Sequence, residues 1–570
     1  MTFQSAQIVW LLLIAMVPVV GIAASRGTAD RFGGLQHAVD SRFAPLAAAI
    51  LTMALVWYVW GSLSALPIVH DEASYLIQAQ TFARGRWTMP SPPLPEFFEQ
   101  FHVFVVPHFA SKYPPGHGIL MAPGIWFGRP GLIPVLLNGV AAALLFVLIR
   151  RVTNGWIALL TLLLWLLVSG NLAFRASYFS ENTSSVLWLG GWLALLEWCE
   201  QPRERWLMVM AACIGWMAIT RPLTAVAFAI PIGLVVGRRT AKTRQWRQLV
   251  RPAVLGMAIL SLIPIWSART TGNWRETPYA RYSKLYFPFD AMGFGFDSTP
   301  PLRQLPPDMK PFAAGFGPVH ATHTPAHLPR VLFDDWKMMF VSVFRGNRVP
   351  LAIFAVLSLA ALPVAGWFAI AGSFLLTVCY LAFAHPAAWD LYYVEIFPLL
   401  PFLTACGIWG ALLAITARID PRRRLAITPP QAAVAAVAAA VVLLQPLQAE
   451  VMRAKRYELR NREHRAHFAA TTALLPEPRT MVFIHYAPNH SVNDALVTND
   501  ADLAHAKTWL VHDLGVADTA LLSKAPDRSP YLYDESSDVY YRLTPAIITE
   551  AAARVRQDSL LAVKSPGSGR

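Results

Sequence analysis

The run His70-Asp71-Glu72-Ala73-Ser74-Tyr75 sets a histidine and two adjacent carboxylates directly after the apolar stretch Ala44 to Val69. A carboxylate at the end of a membrane-length apolar run is costly unless an interaction offsets it, so the pair reads first as a functional site, with the start of a solvated loop as the alternative. Further on comes Ser111-Lys112-Tyr113-Pro114-Pro115-Gly116-His117-Gly118. Two prolines followed by glycine make a rigid turn, and a lysine fixed beside it at headgroup level suits a lipid phosphate. Arg175-Ala176-Ser177-Tyr178-Phe179-Ser180-Glu181-Asn182 again puts a carboxylate at the start of an apolar run. There Glu181 is either a functional acid or a first-turn residue of a helix capped by Ser180.

Arg221 interrupts the apolar run Trp206 to Gly237 just before Pro222 and has no charged neighbour in sequence. An arginine so placed needs a counter-ion, and a phosphate would serve. Thr270 to Tyr286 interleaves Trp274, Tyr279 and Tyr282 with Arg275, Arg281 and Lys284, a mixture that suits a sugar by stacking and a phosphate by charge-assisted hydrogen bonds. His385, Trp389, Asp390 and the intraspan Glu395 add polar groups to the same set.

The elements that must position these residues are membrane spans. The 570 residues are 55% apolar and 14% charged, and the mean hydropathy is +0.42, the balance of an all-α polytopic membrane protein. Uncharged runs such as Leu132 to Ile149, Trp156 to Phe174 and Ile427 to Ala449 are near the length that crosses about 30 Å of hydrocarbon, several of them short enough to require broken or tilted helices. Twenty tryptophans, many near span ends, fit the interfacial aromatic belt. The net charge of +14 is spread over short loops, which argues for topology and against a nucleic-acid partner. Arg150 and Arg151, Arg203 and Arg205, the cluster Arg238 to Arg251, and Arg418 with Arg422, Arg423 and Arg424 are expected inside.

Threading the chain through these markers predicts about twelve transmembrane helices, with Ile8 to Ala24 kept as a span and both termini outside. The uncharged run Leu351 to Ala384 is split at Pro363-Val364-Ala365-Gly366. All the chemically suggestive loops then share the outer face. Cys199, Cys213, Cys379 and Cys406 give neither a disulfide framework nor metal-ligand spacing, and no repeat of fixed period is present.

Two domains follow: a multi-span domain over 1–449 with long outer loops at about 67–130 and 268–348, and a small α/β domain over 450–570 on the outer face. In the latter, Arg453 to His467 is helical in pattern, Thr480 to Tyr486 a buried strand, and Ala501 to Leu514 helix-like, followed by Thr519 to Ser523 and Val539 to Leu543. His485, His490, Asp494 and Asp500 are of metal-ligating type, but their spacing matches no metal motif and polar loop residues explain them. Lys564 to Arg570 is Gly/Ser-rich and expected to be disordered.

Asp71-Glu72 after an early span, a long loop ending in Lys112-Tyr113-Pro114-Pro115, many spans and a soluble tail resemble the GT-C superfamily of membrane glycosyltransferases. Among its members the pattern is most similar to protein O-mannosyltransferases and lipid A aminoarabinose transferases. The likeness is strongest over residues 44 to 290, and the tail differs from those two groups. It implies transfer of a hexosyl or pentosyl group from a polyprenyl-phosphate donor to a protein, lipid or polysaccharide acceptor, at the periplasmic face of a bacterial inner membrane. Asp71 resembles the catalytic carboxylate, with Glu72 as companion, and Lys112 the lysine that contacts the donor phosphate. Arg221, Arg275 and Arg281 are further candidates for that phosphate; Glu181, Tyr178, His117 and His385 are candidates for a second acidic or substrate-binding set.

Such a reaction needs no nucleotide, which fits the lack of a Gly-rich phosphate loop, and no cofactor, although a divalent metal beside Asp71 and Glu72 is allowed. The rival is a transporter or flippase for a lipid-linked or anionic substrate. Transporters place polar groups at the bilayer midplane, whereas here they gather at one face.

Overall fold

The computed structural model describes residues 33–416 and 430–543. The expected span Ile8 to Ala24, the basic cluster Arg418, Arg422, Arg423 and Arg424, the first residues of the Ile427 to Ala449 run and the tail Lys564 to Arg570 lie outside the described residues.

Among the described residues four helices are long and apolar enough to cross a membrane: Leu132–Val152, Pro222–Thr243, Trp246–Thr271 and Ala436–Ala473. Three bent pairs pass the same test together, and Gly155–Leu166 and Val364–Tyr380 are shorter apolar helices. The breaks have local causes. The run Trp156 to Phe174 opens with Asn154, whose side chain accepts from the Ile157 N–H, and ends at Leu166. Gly170, in the left-handed region at φ 81°, then starts the short helix Asn171–Arg175. Pro363 separates Ala352–Ser358 from Val364–Tyr380, as the split run required.

The helix Ala44–Trp60 ends at Gly61, which adopts φ 79° and closes the last turn on the Trp57 carbonyl. The helix His70–Ala83 follows, so Asp71 and Glu72 occupy its first turn, where acidic side chains complement the helix dipole. The loop then forms a three-stranded antiparallel sheet in the order β1 (Met89–Pro90), β3 (His108–Ser111), β2 (Val103–Phe104). Ser74 Oγ donates to the His102 carbonyl at 2.8 Å, and Gln78 Nε2 donates to the Tyr113 carbonyl at 2.6 Å. These two bonds clamp the sheet and its exit onto the helix that carries Asp71. At Gly116 a Cβ would fall 2.8 Å from the Ile219 carbonyl oxygen. That close approach brings the Lys112 turn beside the segment that holds Arg221.

A 44-residue helix, Pro430–Ala473, joins the membrane part to the tail. Arg462 donates to the carbonyls of Trp60 and Leu66, and Arg465 to that of Pro67, so the helix is tied to the segment that leads into Asp71. The tail holds a four-stranded sheet in the order β5 (Thr508–His512), β4 (Thr480–His485), β6 (Ser529–Asp534), β7 (Val539–Arg542). β4 pairs in parallel with β5 and β6, and β7 is antiparallel to β6.

The expected strand at Thr480 is present, but the helix-like reading of Ala501 to Leu514 is corrected. Its first half is turn, and its second is β5, where Trp509, Val511 and His512 are buried. Thr519 to Ser523 belongs to the helix Asp518–Lys524. The sheet packs on the loop that carries the site: Phe97 meets Phe483 and Phe98 meets Trp509 edge-on, at centroid separations of 6.1 and 5.2 Å. Membrane loop and tail therefore share one core.

Candidate active site

Asp71 keeps 33% of its side chain exposed while its neighbours are buried. Its Oδ1 accepts a short hydrogen bond from the Tyr113 hydroxyl and lies 3.5 Å from His102 Nε2; its Oδ2 lies 3.3 Å from His70 Nε2. Three side chains thus hold one carboxylate from its sides and leave an accessible edge. His102 is pinned by its backbone, whose N–H donates to the Tyr282 oxygen at 2.8 Å, and by a left-handed φ of 62°. A non-glycine residue in that region stores about 1–3 kcal/mol, tolerated here because Ser74, Lys112 and Tyr282 all bond to its backbone. Burial first, then the charge of Lys112 and the proximity of His70, hold the His102 imidazole well below its ordinary pKa and therefore neutral.

Lys112 directly follows β3 and is buried, at 2% exposure. Its Nζ stands 4.4 Å from the ring centroid of Tyr279, 5.0 Å from that of Tyr282 and 5.4 Å from that of Tyr113. These distances are in the cation–π range. Tyr279 and Tyr282 lie three residues apart on the helix Pro278–Tyr286, which Thr277 caps by accepting from the Ala280 N–H. Burial pulls the Lys112 ammonium below the ordinary lysine value, opposed by the charges of Asp290 and Asp71. Among the described residues no carboxylate comes within 4 Å of it. An ammonium so enclosed, with rings on its flanks and carboxylates only at longer range, is built to meet an anion.

Glu72 is engaged elsewhere. Its Oε1 accepts from the Ile68 N–H at 3.1 Å and its Oε2 from the Tyr178 N–H at 2.9 Å, with 1% of the residue exposed. It ties the first turn of its helix to the second loop. His117 is equally committed, with Nδ1 2.8 Å from Thr183 Oγ1 and Nε2 2.9 Å from the Tyr178 carbonyl, and the Tyr178 hydroxyl donates to the Ala65 carbonyl. His385 Nε2 is 3.0 Å from the Tyr393 hydroxyl, which donates to Asp335.

Arg221, which has no charged neighbour in sequence, finds its counter-ions through space. It makes a short ion pair with Glu181, lies 3.3 Å from Glu395 and donates to the Tyr380 hydroxyl at 2.6 Å. The counter-ion that its burial demands is supplied by the protein from two other segments. This pair is linked to the surroundings of Asp71 through the Glu181 carboxylate, Ser180 Oγ and the Tyr75 hydroxyl, at 3.2 and 3.0 Å. The Tyr75 ring stacks on Tyr113 at 4.4 Å. Arg275 is exposed with its guanidinium 4.9 Å from the Trp274 ring, and Arg281 is half-buried with no ion pair among the described residues.

The structure therefore brings together Asp71, Lys112 and the aromatic face of the Thr270 to Tyr286 segment, and adds Tyr113, His70, His102 and Asp290. The Asp290 carboxylate, 3.2 Å from His320 Nε2, carries no local signal in the sequence. His70, Asp71 and His102 can each offer a ligand atom within 4.8 Å of the others, a donor set that fits a divalent cation. His485 and His490 do not converge in the tail: the first pairs with Asp513 and the second with Glu535.

No family model and no curated protein matches the chain. Among solved structures it is similar to ArnT from Cupriavidus metallidurans bound to undecaprenyl phosphate, at TM-score 0.47 and 15% identity over 87% of this chain and 91% of that one. It is similar to the apo state of the same protein at TM-score 0.45 and 15% identity, over 85% and 92% of the two chains. The apo oligosaccharyltransferase of Archaeoglobus fulgidus aligns at TM-score 0.37 and 11% identity, over 84% of this chain and 65% of that one.

Proposed function

We propose that the chain is a glycosyltransferase that moves a sugar from a polyprenyl-phosphate carrier to an acceptor hydroxyl, at the outer face of the membrane, with Asp71 as the base. The observation that carries this reading is the pairing of a partly exposed carboxylate with a buried ammonium. The two are held apart, yet both are bound to Tyr113, Asp71 through the hydroxyl and Lys112 over the ring. Such a pair suits a reaction that needs a base on one side of a sugar and a cation on the other.

In the proposed step the acceptor oxygen attacks the anomeric carbon and its proton passes to Asp71. The bond from that carbon to the phosphate oxygen breaks, and the carrier phosphate leaves with the electron pair. Lys112 meets the charge that grows on that phosphate. The rings of Tyr279 and Tyr282 offer stacking surface for the sugar, and Arg281 is a further cation on the same helix. Glu72 acts as a positioning residue for the Asp71 turn, and Arg221 as one for the Glu181 segment. No metal is needed, because a cation already faces the leaving group. A divalent ion on His70, Asp71 and His102 would instead occupy the base, so turnover that survives a chelator separates the two arrangements.

The test is reconstituted protein supplied with a polyprenyl-phosphate sugar and a panel of hydroxyl acceptors. Release of carrier phosphate is expected, with a loss of about 10²–10⁴-fold in Asp71→Asn at unchanged fold and donor binding. Full turnover in that variant would refute Asp71 as the base. Labelled lipid that crosses the bilayer without losing its sugar would favour a flippase.

A further inference from the structure

We infer that a second anion site, separate from the Asp71 and Lys112 site, lies between the Gly346–Leu351 turn and the long helix Pro430–Ala473, and that it binds the phosphate of an anionic lipid headgroup. Among the described residues, a cavity of about 270 Å³ is lined there by Arg345, Arg348 and Arg453 with a single carboxylate, Glu450. Arg453 pairs with Glu450, and Arg348 Nη2 lies 4.0 Å from the same carboxylate while its Nη1 donates to the Leu167 carbonyl. Arg345 is exposed and, among the described residues, has only the Ser169 hydroxyl, at 3.5 Å, as a side-chain partner. Three guanidiniums around one carboxylate leave two positive charges facing the cavity. Guanidinium forks are suited to phosphate oxygens in a way that a single lysine is not.

Position selects the source of the phosphate. Two residues beyond Glu450, Met452 accepts from the Tyr58 hydroxyl, and Lys455 donates to the Tyr58 carbonyl near the C-terminal end of the helix Ala44–Trp60. The cavity is therefore about one helical turn from the level at which that apolar helix ends, the depth of a headgroup. The bordering segments expose Val349, Ile353, Val441 and Leu444 at 45–60%. Such side chains give acyl chains an apolar surface below the arginines, which a free phosphate would not need. This site shares none of its lining residues with the proposed reaction, so the two stand or fall apart.

The experiment is native mass spectrometry of the full chain, titrated with dioleoyl phosphatidylglycerol, with zwitterionic dioleoyl phosphatidylcholine, or with inorganic phosphate as competitor. Phosphatidylglycerol should be retained in preference to phosphatidylcholine. Retention should weaken roughly thirtyfold in Arg345→Gln/Arg453→Gln, from about fivefold per basic side chain at a membrane surface. The variant Arg330→Gln/Lys337→Gln removes the same charge from exposed positions of the helix Leu328–Val343 and should retain the lipid like the parent. Displacement by millimolar inorganic phosphate would keep the anion site but assign it to a free phosphate. Equal retention of the two lipids, or equal loss in both double variants, would overturn the site.

Discussion

Tyr113 donates its phenolic hydrogen bond to Oδ1 of Asp71, 42 positions earlier in the chain. The bond orients the carboxylate, and the same ring underlies the Lys112 ammonium. Tyr113→Phe keeps the ring, its stacking on Tyr75 and the cation contact, and deletes the bond alone. A hydrogen bond to a charged group contributes about 1.5–3 kcal/mol, so kcat should fall by roughly ten- to a hundredfold while donor affinity holds. Steady-state kinetics against Asp71→Asn check this, and an unaltered kcat would mean that the bond has no part in turnover.

Burial lowers the Lys112 pKa, and for a base this means that the charge is lost as pH rises through the lowered value. The pH profile of kcat/KM, which reports the free enzyme, should therefore carry an alkaline limb below the ordinary lysine value. In Lys112→Arg the guanidinium stays charged throughout, and the limb should vanish even where the rate is reduced. A limb that persists at the same pH in Lys112→Arg would assign it to another group.

Asp71 and Lys112 were legible because each sets a charge against an apolar run or a proline turn, and such local conflicts show in a linear sequence. Arg221 was legible as a buried charge but not as a paired one. Its partner Glu395 lies on the last part of the membrane domain and reads there as a lone intraspan carboxylate. His102 and Asp290 were not legible. The first owes its place to a left-handed residue directly before the two-residue strand Val103–Phe104, and the second to the short turn Pro288–Asp290, and neither element has a periodicity to detect. The same limit explains β5, where five residues of strand after a turn were absorbed into an apparent helical period.

The Arg221–Glu181 pair is 6% exposed on both sides, so removal of the cation strands two buried carboxylates, Glu181 and Glu395. Arg221→Met should cost about 3–5 kcal/mol of stability. Adding Glu181→Gln to that variant should recover part of the loss. Thermal unfolding of the three proteins in one detergent checks this. A stable Arg221→Met protein with greatly weakened donor binding would instead return Arg221 to direct contact with phosphate.

In the tail, burial together with the neighbouring Asp513 pushes the Asp518 carboxyl up to about 9. Asp513 is itself engaged by His485 Nδ1 at 2.8 Å, and Asp518 accepts from the Leu514 N–H at 3.0 Å, so neither side chain can turn away from the other. An acid whose folded pKa lies above its unfolded value of about 3.9 holds its proton more tightly when folded. Its contribution to stability is present in full at low pH and is lost as pH rises from about 4 to 9. The tail transition in calorimetry of the full chain should therefore move to lower temperature between pH 5 and pH 9. Asp518→Asn keeps a side-chain oxygen for the Leu514 N–H and offers Asp513 a permanent donor. It should flatten that slope and raise the transition at pH 9 by several degrees, since about 1 kcal/mol corresponds to roughly 4–8 °C in a domain of this size. An unchanged slope in Asp518→Asn would show that the two carboxyls do not share a proton in the folded tail.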